Sequence, residues 1–415
     1  YPMVQCELLS SYVLSEPTIS LDLMVVMMQL LAGAWISGLI ILILSILYPW
    51  LYYIKMKNLS KNIIYPQSDT NLKDITIFLP VRNESKIIKQ KLQEILDLNY
   101  PNYLITLLII DTNSNDGTPG IAHRFLSSKE IDISWKIISL DRQGKSFAVN
   151  HALGIISTNI FIMMDADPIL PKNCLISLIR WFQNPEIGAV CGLLGDSNMD
   201  AGAQYRTRFN SIRIGESILN STPIFEGSIC AFRMSAISKN GINSLINADD
   251  SQLSMDVRNN GFRAIVDPSL YFVEPPVKGI FSNHSRKVRR AHGLVKSLLS
   301  NINLINKDKK YGRIMFFNIY LYVFMPWLIS LSSIIIFLTS IISIYESPFL
   351  KFNNYHTSLI FLFILPSSKL FLELIDGIFI LIKAQILILF GRKLHIWETD
   401  QLQRILSSEL RENLP

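Results

Sequence analysis

The stretch Ile160-Phe-Ile-Met-Met-Asp-Ala-Asp167 decides the fold class. Its five leading apolar residues do not alternate with polar ones, which predicts a strand buried on both faces, as in parallel sheets. Asp165 and Asp167 follow at the carboxyl end of that strand, where open α/β sheets bind their ligands. Two carboxylates at such a place suit a hard divalent cation that also bridges a diphosphate. Alone, the triplet is weak evidence, because an ordinary solvated turn reads the same way.

The same pattern of apolar strand and polar end recurs upstream of this stretch. Strands are predicted over 75–79, closed by Pro80, over 104–110 and near 133–140, and the first two are followed by polar residues. Helical patterns over 84–98 and 145–156 separate the strands, so the predicted domain is α/β with a mostly parallel sheet. Walker A and GxGxxG sequences are absent, which excludes a P-loop and a dinucleotide-binding Rossmann site.

A second acidic pair follows downstream, in Asn247-Ala-Asp249-Asp250-Ser-Gln-Leu253. A helix that ends at Asn260-Gly261 and a strand over 262–266 come after it. Buried carboxylates that lie close together need cations, and one of them can serve as a general base. The context of two acidic pairs at predicted strand and helix ends therefore strengthens the first triplet.

The composition indicates a membrane protein. Hydrophobic residues make up 49% of the 415 positions, charged residues only 17%, and the mean hydropathy is +0.30. Soluble domains carry about 25% charged residues. Disorder is excluded by the hydrophobicity, and the four cysteines fit neither a disulfide framework nor a CxxC metal site. The net charge of +6 suits an anionic bilayer surface or phosphorylated ligands.

Two uncharged runs, 23–54 and 314–345, exceed the roughly 20 residues that a membrane-crossing helix needs. The first lacks a basic segment before it, so we interpret it as a membrane anchor rather than a signal peptide. A third apolar region, 357–390, is interrupted by charges such as Lys369 and Glu373. It is compatible with a transmembrane helix, a re-entrant segment, or both.

The basic residues predict the orientation. Residues 1–22 contain no Lys or Arg, whereas Lys55, Lys57 and Lys61 follow the first run, so the positive-inside rule puts the N-terminus outside. We therefore expect a multi-pass integral membrane protein with a cytoplasmic catalytic domain. Its predicted cytoplasmic parts are the catalytic domain at 60–285, a basic and amphipathic interface segment at 286–312, and a C-terminal tail at 391–415. Within the domain, Arg206, Arg208 and Arg213 are predicted to form a solvated helix face.

Seven ordered motifs resemble those of a membrane-anchored family 2 glycosyltransferase with a GT-A fold, of the ceramide glucosyltransferase and polysaccharide synthase branch. They are Leu79-Pro-Val-Arg-Asn-Glu84, Ile110-Asp-Thr-Asn-Ser-Asn-Asp-Gly-Thr118, Gly144-Lys-Ser-Phe-Ala-Val-Asn150, Asp165-Ala-Asp167, Glu226-Gly-Ser-Ile-Cys-Ala-Phe-Arg233, Asp249-Asp250-Ser-Gln-Leu253 and Arg286-Lys-Val-Arg-Arg-Ala-His-Gly293. The resemblance covers residues 72 to 300. Each motif alone is weak, and their order and spacing make the resemblance specific.

The resemblance implies roles for individual residues. The expected nucleotide-sugar-binding residues are Pro80, Arg82, Glu84, Asp111, Lys145, Asp165 and Arg290. The DxD motif implies Mg²⁺ or Mn²⁺ on Asp167 and Asp165, with Asp167 the more direct ligand. Catalysis is expected from Asp250 as the base, together with Asp249, Arg286 and Arg289, and Gly227 is expected to border the acceptor. Thr112 stands where the family usually has a second Asp, and Arg290 where it usually has Trp.

The expected reaction is inverting transfer of a hexose from a nucleotide-diphosphate sugar, with UDP-sugars favoured, to a membrane lipid. Two or three spans offer little wall for a polymer channel, which disfavours the alternative, a polysaccharide synthase elongating a glycan. A non-catalytic sugar-nucleotide-binding subunit is a second alternative, and the intact acidic pairs argue against it. Arg286 to Arg290 also fit a polybasic patch on lipid headgroups. The expected partners are the donor, the lipid or glycan acceptor and the bilayer, with no nucleic acid; the oligomeric state stays open.

Overall fold

A computed structural model of the chain describes residues 21–66, 72–195, 203–275, 280–346, 369–394 and 401–413. The predictions for residues 1–20 and for the first part of the third apolar region lie outside these residues. Contacts divide the chain into two units. One combines Tyr1–Ile46 with Trp327–Leu374, and the other combines Leu47–Pro326 with Ile375–Pro415. The second unit is called the catalytic unit below.

A seven-stranded sheet forms the centre of the catalytic unit. Its strands are β1 (Ile75–Val81), β2 (Ile105–Thr112), β3 (Ser134–Leu140), β4 (Ile160–Met164), β5 (Ile187–Leu194), β6 (Ile229–Arg233) and β7 (Arg263–Phe272), in the order β3-β2-β1-β4-β6-β5-β7. The strands β1 to β4 are parallel, as predicted. β6 runs antiparallel to both β4 and β5, and neither β5 nor β6 was predicted.

Helices cover both faces of the sheet and extend beyond it. They are α1 (Leu21–Leu59), α2 (Ile88–Leu96), α3 (Thr118–Ser127), α4 (Lys145–Ile155), α5 (Cys174–Ile179), α6 (Ala203–Leu219), α7 (Asp249–Asn259), α8 (Ile280–Ser300), α9 (Lys309–Ile319), α10 (Met325–Glu346), α11 (Lys369–Leu389) and α12 (Gln401–Asn413). Short 3₁₀ segments precede β2 and α9, and one π-helical turn joins α9 to α10.

Two apolar clusters explain why the central strands do not alternate. Ile77 and Ile162 of neighbouring strands point into one cluster, whereas Phe78 and Phe161 point into the other. A strand buried on both faces needs apolar residues at every position. All five residues of β4 are buried, so the chain turns polar only where β4 ends, at Asp165. The sheet thereby fixes the position of the acidic triplet at its edge.

Among the described residues, two continuous helical stretches, Val25–Leu59 and Lys309–Ser343, are long and apolar enough to cross a membrane. They overlap the first two predicted runs; the first stretch ends later and the second begins earlier than its run, because the polar flanks continue the helix. Exposed apolar side chains line them, such as Leu30 at 70% and Leu331 at 54% exposure. Glycine at position 38 lets a neighbouring helix pack closely, since a Cβ there would lie 3.1 Å from Ile336.

Within the catalytic unit, Glu216 of α6 joins elements that are distant in sequence. Its carboxylate accepts hydrogen bonds from Tyr52 of α1 at 3.0 Å, Asn318 of α9 at 2.9 Å and Thr222 at 2.8 Å. Burial raises the pKa of this carboxyl to about 7. Gly215 allows α6 to pack closely on α1, because a Cβ at position 215 would lie 2.4 Å from the carbonyl oxygen of Met56. The sheet domain is therefore fastened to the ends of both long apolar stretches.

The segment expected to lie in the interface, 286–312, comprises most of α8, the 3₁₀ segment before α9 and the start of α9; α8 itself begins earlier than the predicted segment, at Ile280. Its residue Leu298 is fully buried against Met255 and Ile314, so this part of the apolar face covers protein rather than lipid. Leu299 and Ile302 stay exposed, at 38% and 49%. The apolar face of this segment is therefore partly buried against the domain and partly exposed.

Two charged residues of the third apolar region, Asp376 and Lys383, have partners in the catalytic unit. Asp376 of α11 pairs with Lys287 of α8 at 2.8 Å, and Lys383 contacts His284 at 3.2 Å. Val288 packs against Ile380 and Ala384 in the same contact. Asp376 and Lys383 thus hold α11 on α8.

Candidate active site

Asp165 lies at the centre of the candidate site and is held by Lys145. The ammonium of Lys145, at the start of α4, is 2.7 Å from a carboxylate oxygen of Asp165. Burial alone would lower the pKa of Lys145, but Asp165, Asp249 and Asp250 outweigh it and raise that pKa. Lys145 therefore stays charged between both acidic pairs, which is why the Gly144-Lys145 sequence at the start of α4 matters here.

Asp249 and Asp250 begin α7 and have different surroundings. Asp249 is 4% exposed and accepts a hydrogen bond from Ser146. Asp250 accepts one from the backbone amide of Ser251 at 2.8 Å. Burial raises the pKa of Asp250 to about 6, against the opposing effect of Lys145. A carboxylate with that pKa is ionised at neutral pH and more basic than an exposed Asp.

Gly227 lies directly against these groups. A Cβ at this position would be 3.1 Å from an oxygen of Asp250 and 3.3 Å from the Lys145 ammonium. The adjacent Ser228 accepts a hydrogen bond from the backbone amide of Asp165 at 3.1 Å through its carbonyl. The loop after Glu226 therefore brings Gly227 to the two acidic pairs, which were predicted from separate motifs.

Gly293 explains why the basic motif ends in glycine. A Cβ at Gly293 would lie 1.9 Å from the carbonyl oxygen of Asn247, so α8 packs against the backbone just before Asp249. A larger residue would push α8 away from this loop. This single contact sets the distance between the basic motif and the acidic pair.

Three arginines of the basic motif face the acidic residues. Arg286 lies 2.5 Å from Glu274, and Arg290 lies 3.4 Å from the same carboxylate. Arg289 interacts electrostatically with Asp249 and Asp165, and burial lowers its pKa to about 10. Glu274, which also accepts a hydrogen bond from Ser228 at 2.8 Å, was not predicted. No motif names it, because it lies in the loop after β7.

The loops expected to bind the nucleoside hold one another. Pro80 is buried in β1 and pairs in register with Ile110, and Arg82 follows at the strand end, half-buried. Asp111 is 2% exposed and accepts hydrogen bonds from the backbone and hydroxyl of Ser114. Thr112 donates to the Val81 carbonyl at 3.3 Å. Many polar groups of these loops thus form hydrogen bonds within and between the loops and fix their conformation.

Asp167 is held from the other end of the chain. Arg404 of α12 lies 2.8 Å from a carboxylate oxygen of Asp167. The same guanidinium pairs with Glu84 at 2.6 Å through two of its nitrogens. Asp167 and Glu84 raise the pKa of Arg404 more than burial lowers it. The sequence predicted a C-terminal tail here and gave no signal for Arg404.

The interpretation of Arg213 as a solvated residue is wrong. Its side chain is 13% exposed and pairs with Glu226, whose other oxygen accepts a hydrogen bond from the Leu194 amide at 2.6 Å. Arg213 thereby fixes the loop that carries Gly227. The helical pattern of α6 shows its polar face, but only tertiary structure shows that a carboxylate meets it.

The donor set for a cation is small. Within the described residues, no group of three or more His, Cys, Asp or Glu side chains is arranged to hold a metal ion. Asp165 and Asp167 supply carboxylate oxygens, which Mg²⁺ and Mn²⁺ prefer. Mg²⁺ commonly uses one or two carboxylates and completes its coordination with substrate phosphates and water. The residues present fit that kind of site.

Family comparisons identify the chain. The model of glycosyl transferase family 2 matches residues 76–241. The model of glycosyl transferase family group 2 matches residues 160–372, just over half of the chain. The chain belongs to glycosyltransferase family 2. The predicted family and its GT-A fold are thus confirmed, and the family models cover the acidic pairs, Gly227 and the basic motif.

Two relatives within the family have different functions. The poly-β-1,6-N-acetyl-D-glucosamine synthase of Staphylococcus epidermidis is 25% identical over 215 residues, which are 50% of this chain and 48% of that protein. The β-monoglucosyldiacylglycerol synthase of Trichormus variabilis is 32% identical over 119 residues, 28% of this chain and 25% of that protein. The chain thus spans half or less of the length of these relatives.

A solved structure supports the family's fold at greater length. The mannosyltransferase of Pyrobaculum calidifontis, in complex with GDP-Man and Mn²⁺, superimposes with a TM-score of 0.74. It is 24% identical, and the match covers 87% of this chain and 100% of that one. This similarity establishes the GT-A architecture beyond the sheet itself.

Proposed function

We propose that the protein transfers a hexose from a nucleoside-diphosphate sugar, favouring a UDP-sugar, to a membrane lipid. One observation carries the proposal: Asp250, with a pKa of about 6, lies against Gly227 beside the Lys145–Asp165 pair. A base, a cation and a carboxylate for a metal thus converge where the family's reaction needs them.

In the proposed reaction, Asp250 accepts the proton of an acceptor hydroxyl as its oxygen attacks the anomeric carbon. The bond from oxygen to that carbon forms while the bond from the carbon to the diphosphate breaks. The diphosphate leaves with the electron pair, and this single displacement inverts the anomeric centre. Gly227 leaves space for the acceptor beside Asp250, because any side chain there would fill it.

Charge on the departing diphosphate is stabilised by cations that are already in place. Lys145, Arg286 and Arg289 face the acidic pairs, and fixed charges in a buried site stabilise developing charge strongly. Mg²⁺ or Mn²⁺ held by Asp167 and Asp165 would neutralise diphosphate oxygens as a Lewis acid when bound. Asp249, which accepts a hydrogen bond from Ser146, holds the start of α7 so that Asp250 lies against Gly227.

The membrane attachment supports a lipid acceptor. Glu216 fastens the sheet domain to the ends of both long apolar stretches, so an acceptor in the bilayer lies near the domain. The similarity to the diacylglycerol glycosyltransferase named above supports the same acceptor class. The positive charges of Lys55, Lys57 and Lys61 support a cytoplasmic orientation of the catalytic unit.

The competing proposal is synthesis of a glycan polymer, which the similarity to the N-acetylglucosamine polymer synthase supports. Radiolabelled UDP-sugars and GDP-sugars, offered with extracted membrane lipids and Mn²⁺, distinguish the two. Lipid transfer predicts label in the chloroform phase that requires a UDP-sugar and disappears with EDTA. Label found only in a long water-soluble product would contradict it and support the polymer.

A further inference from the structure

Helix α12 reaches the candidate site from the extreme C-terminal part of the chain. Its residue Arg404 is only 1% exposed although it carries a full charge. Burying an arginine is costly unless carboxylates compensate it. Glu84, also 1% exposed, and Asp167 provide that compensation, at 2.6 and 2.8 Å. One guanidinium thus bridges the end of β1 and the loop after β4.

Other side chains of α12 donate hydrogen bonds to the backbone of the loop after β4. Ser407 donates to the Asp167 carbonyl at 3.0 Å, and Arg411 donates to the carbonyls of Ala166 and Pro168 at 2.8 and 3.0 Å. Arg411 also reaches Glu94 of α2 at 3.1 Å. Several side chains of one helix therefore fix both the backbone and the carboxylate of a loop of three residues.

Glu84 is committed to Arg404 through both of its carboxylate oxygens. Its backbone amide donates a hydrogen bond to the hydroxyl of Thr118 at 2.8 Å, which fixes the backbone at this position. This arrangement differs from the direct nucleoside contact expected for Glu84. A carboxylate held bidentately by arginine has both oxygens occupied, so the geometry favours an action of Glu84 through Arg404.

We propose that Arg404 is a positioning residue, which Glu84 orients and which holds Asp167 ready for a divalent cation and a nucleoside diphosphate. This inference rests on the proposed function. Without the guanidinium, Glu84 and Asp167 would repel each other and Asp165 across a buried space. Asp167 would lose the cation that orients its carboxylate, and a rotated carboxylate is removed from the position of a cation ligand.

Binding of Mn²⁺ to the purified full chain, followed by electron paramagnetic resonance with UDP or GDP present, tests the inference without turnover. Asp167→Asn defines the signal that belongs to this site. Arg404→Met is expected to weaken Mn²⁺ binding at least tenfold, and Arg404→Lys to recover part of the loss. Ile405→Ala, which changes an exposed neighbour on α12, is the matched control and is expected to bind like wild type.

Glu84→Gln gives a second test. If Glu84 acts through Arg404, this substitution weakens Mn²⁺ binding in the wild type and adds nothing in the Arg404→Met background. Equal additional losses in both backgrounds would contradict that route. Thermal unfolding of each variant shows whether the fold persists, and Arg404→Lys provides the reading if Arg404→Met does not fold.

Two results overturn the inference and are distinguishable from failure of the proposed function. Unchanged or tighter Mn²⁺ binding by a folded Arg404→Met protein would show that Arg404 does not prepare the site, and tighter binding would make α12 a competitor of the cation. Wild-type protein without any Mn²⁺ signal that depends on Asp167 would instead overturn the proposed metal site, and with it the positioning role.

Discussion

The two carboxylates of the 165–167 triplet are held by different parts of the chain. Asp165 pairs with Lys145, which precedes it by 20 positions and begins α4, the helix before β4. Asp167 pairs with Arg404, in the last described helix. The Asp165 side also contains the proposed base and Gly227, whereas the Asp167 side contains Glu84. The comparison teaches that one short motif joins a local chemical cluster to a distant positioning helix.

The two sides predict different consequences of mutation. Groups beside Asp165 touch the proposed reacting atoms, so changes there are expected to alter turnover. Groups beside Asp167 act on ligand binding, so changes there are expected to alter affinity.

Substituting Lys145→Met is expected to reduce turnover by about 10²- to 10³-fold, because it removes a fixed cation from the site of charge development. It also removes the group that lowers the pKa of Asp250, so the acid limb of the pH profile is expected to move to higher pH. Steady-state transfer of labelled sugar from pH 5 to 9 measures both. Lys136→Met, at an exposed position in β3, is the control.

Turnover by Lys145→Met within a few-fold of wild type would remove Lys145 from the proposed mechanism. Loss of turnover with an unmoved acid limb would keep its role toward the diphosphate but separate it from Asp250. The difference between these results sharpens the description of the Asp165 side.

Gly227→Ala is expected to lower kcat/KM by about tenfold to a hundredfold, because a small displacement of the reacting groups lowers the rate by this amount. The added methyl would meet Asp250 and Lys145 at 3.1 and 3.3 Å. Gly154→Ala in α4 is the matched control, since a Cβ there meets nothing within 4 Å. Equal activity of the two variants would argue against an acceptor beside Gly227.

The pH dependence follows from Asp250. A base acts in its ionised form, and the pKa of Asp250 is about 6. The kcat/KM of the wild type is therefore expected to rise about tenfold per pH unit below 6 and to level off above it. Measurement at constant ionic strength checks this. A flat profile between pH 4.5 and 7 would be inconsistent with Asp250 as the base.

Gly293→Ala is expected to destabilise the fold by about 1–3 kcal/mol, the usual cost of overpacking. The new methyl would lie 1.9 Å from the Asn247 carbonyl, so α8 must shift. Denaturant unfolding in detergent measures the change, with Gly120→Ala in α3 as the control at an open position. Unchanged stability would show that α8 is free to move relative to α7.

Local patterns in the sequence predict much of the Asp165 side. The apolar run of β4 predicts a buried strand, and the polar residues after it predict the edge where Asp165 lies. Lys145, Asp250 and Gly227 each stand in a short motif with an expected role. The structure brings Asp165 and Lys145 to one edge of the sheet because the parallel strands β4 and β3 both end there. Gly227 reaches the same edge because it precedes β6, which runs antiparallel to β4 and starts beside its end.

The Asp167 side was not predictable in the same way. Arg404 lies in a polar helix without a motif, and its partners precede it by more than 200 positions. Glu274 and the pairing of Arg213 with Glu226 were missed although their partners are only 12 and 13 positions away, because ion pairs between separate elements leave no local periodicity. The antiparallel strand β6 was missed because a short apolar run does not show its direction.

The Asp250→Asn substitution tests the central claim most directly. Transfer of labelled sugar is expected to fall by about 10³-fold, because the amide cannot accept the acceptor proton. Binding of UDP and GDP with Mn²⁺ is expected to stay unchanged, and Asp141→Asn, at an exposed position, is expected to behave like wild type in both assays. Turnover by Asp250→Asn within tenfold of wild type would contradict the assignment of the base.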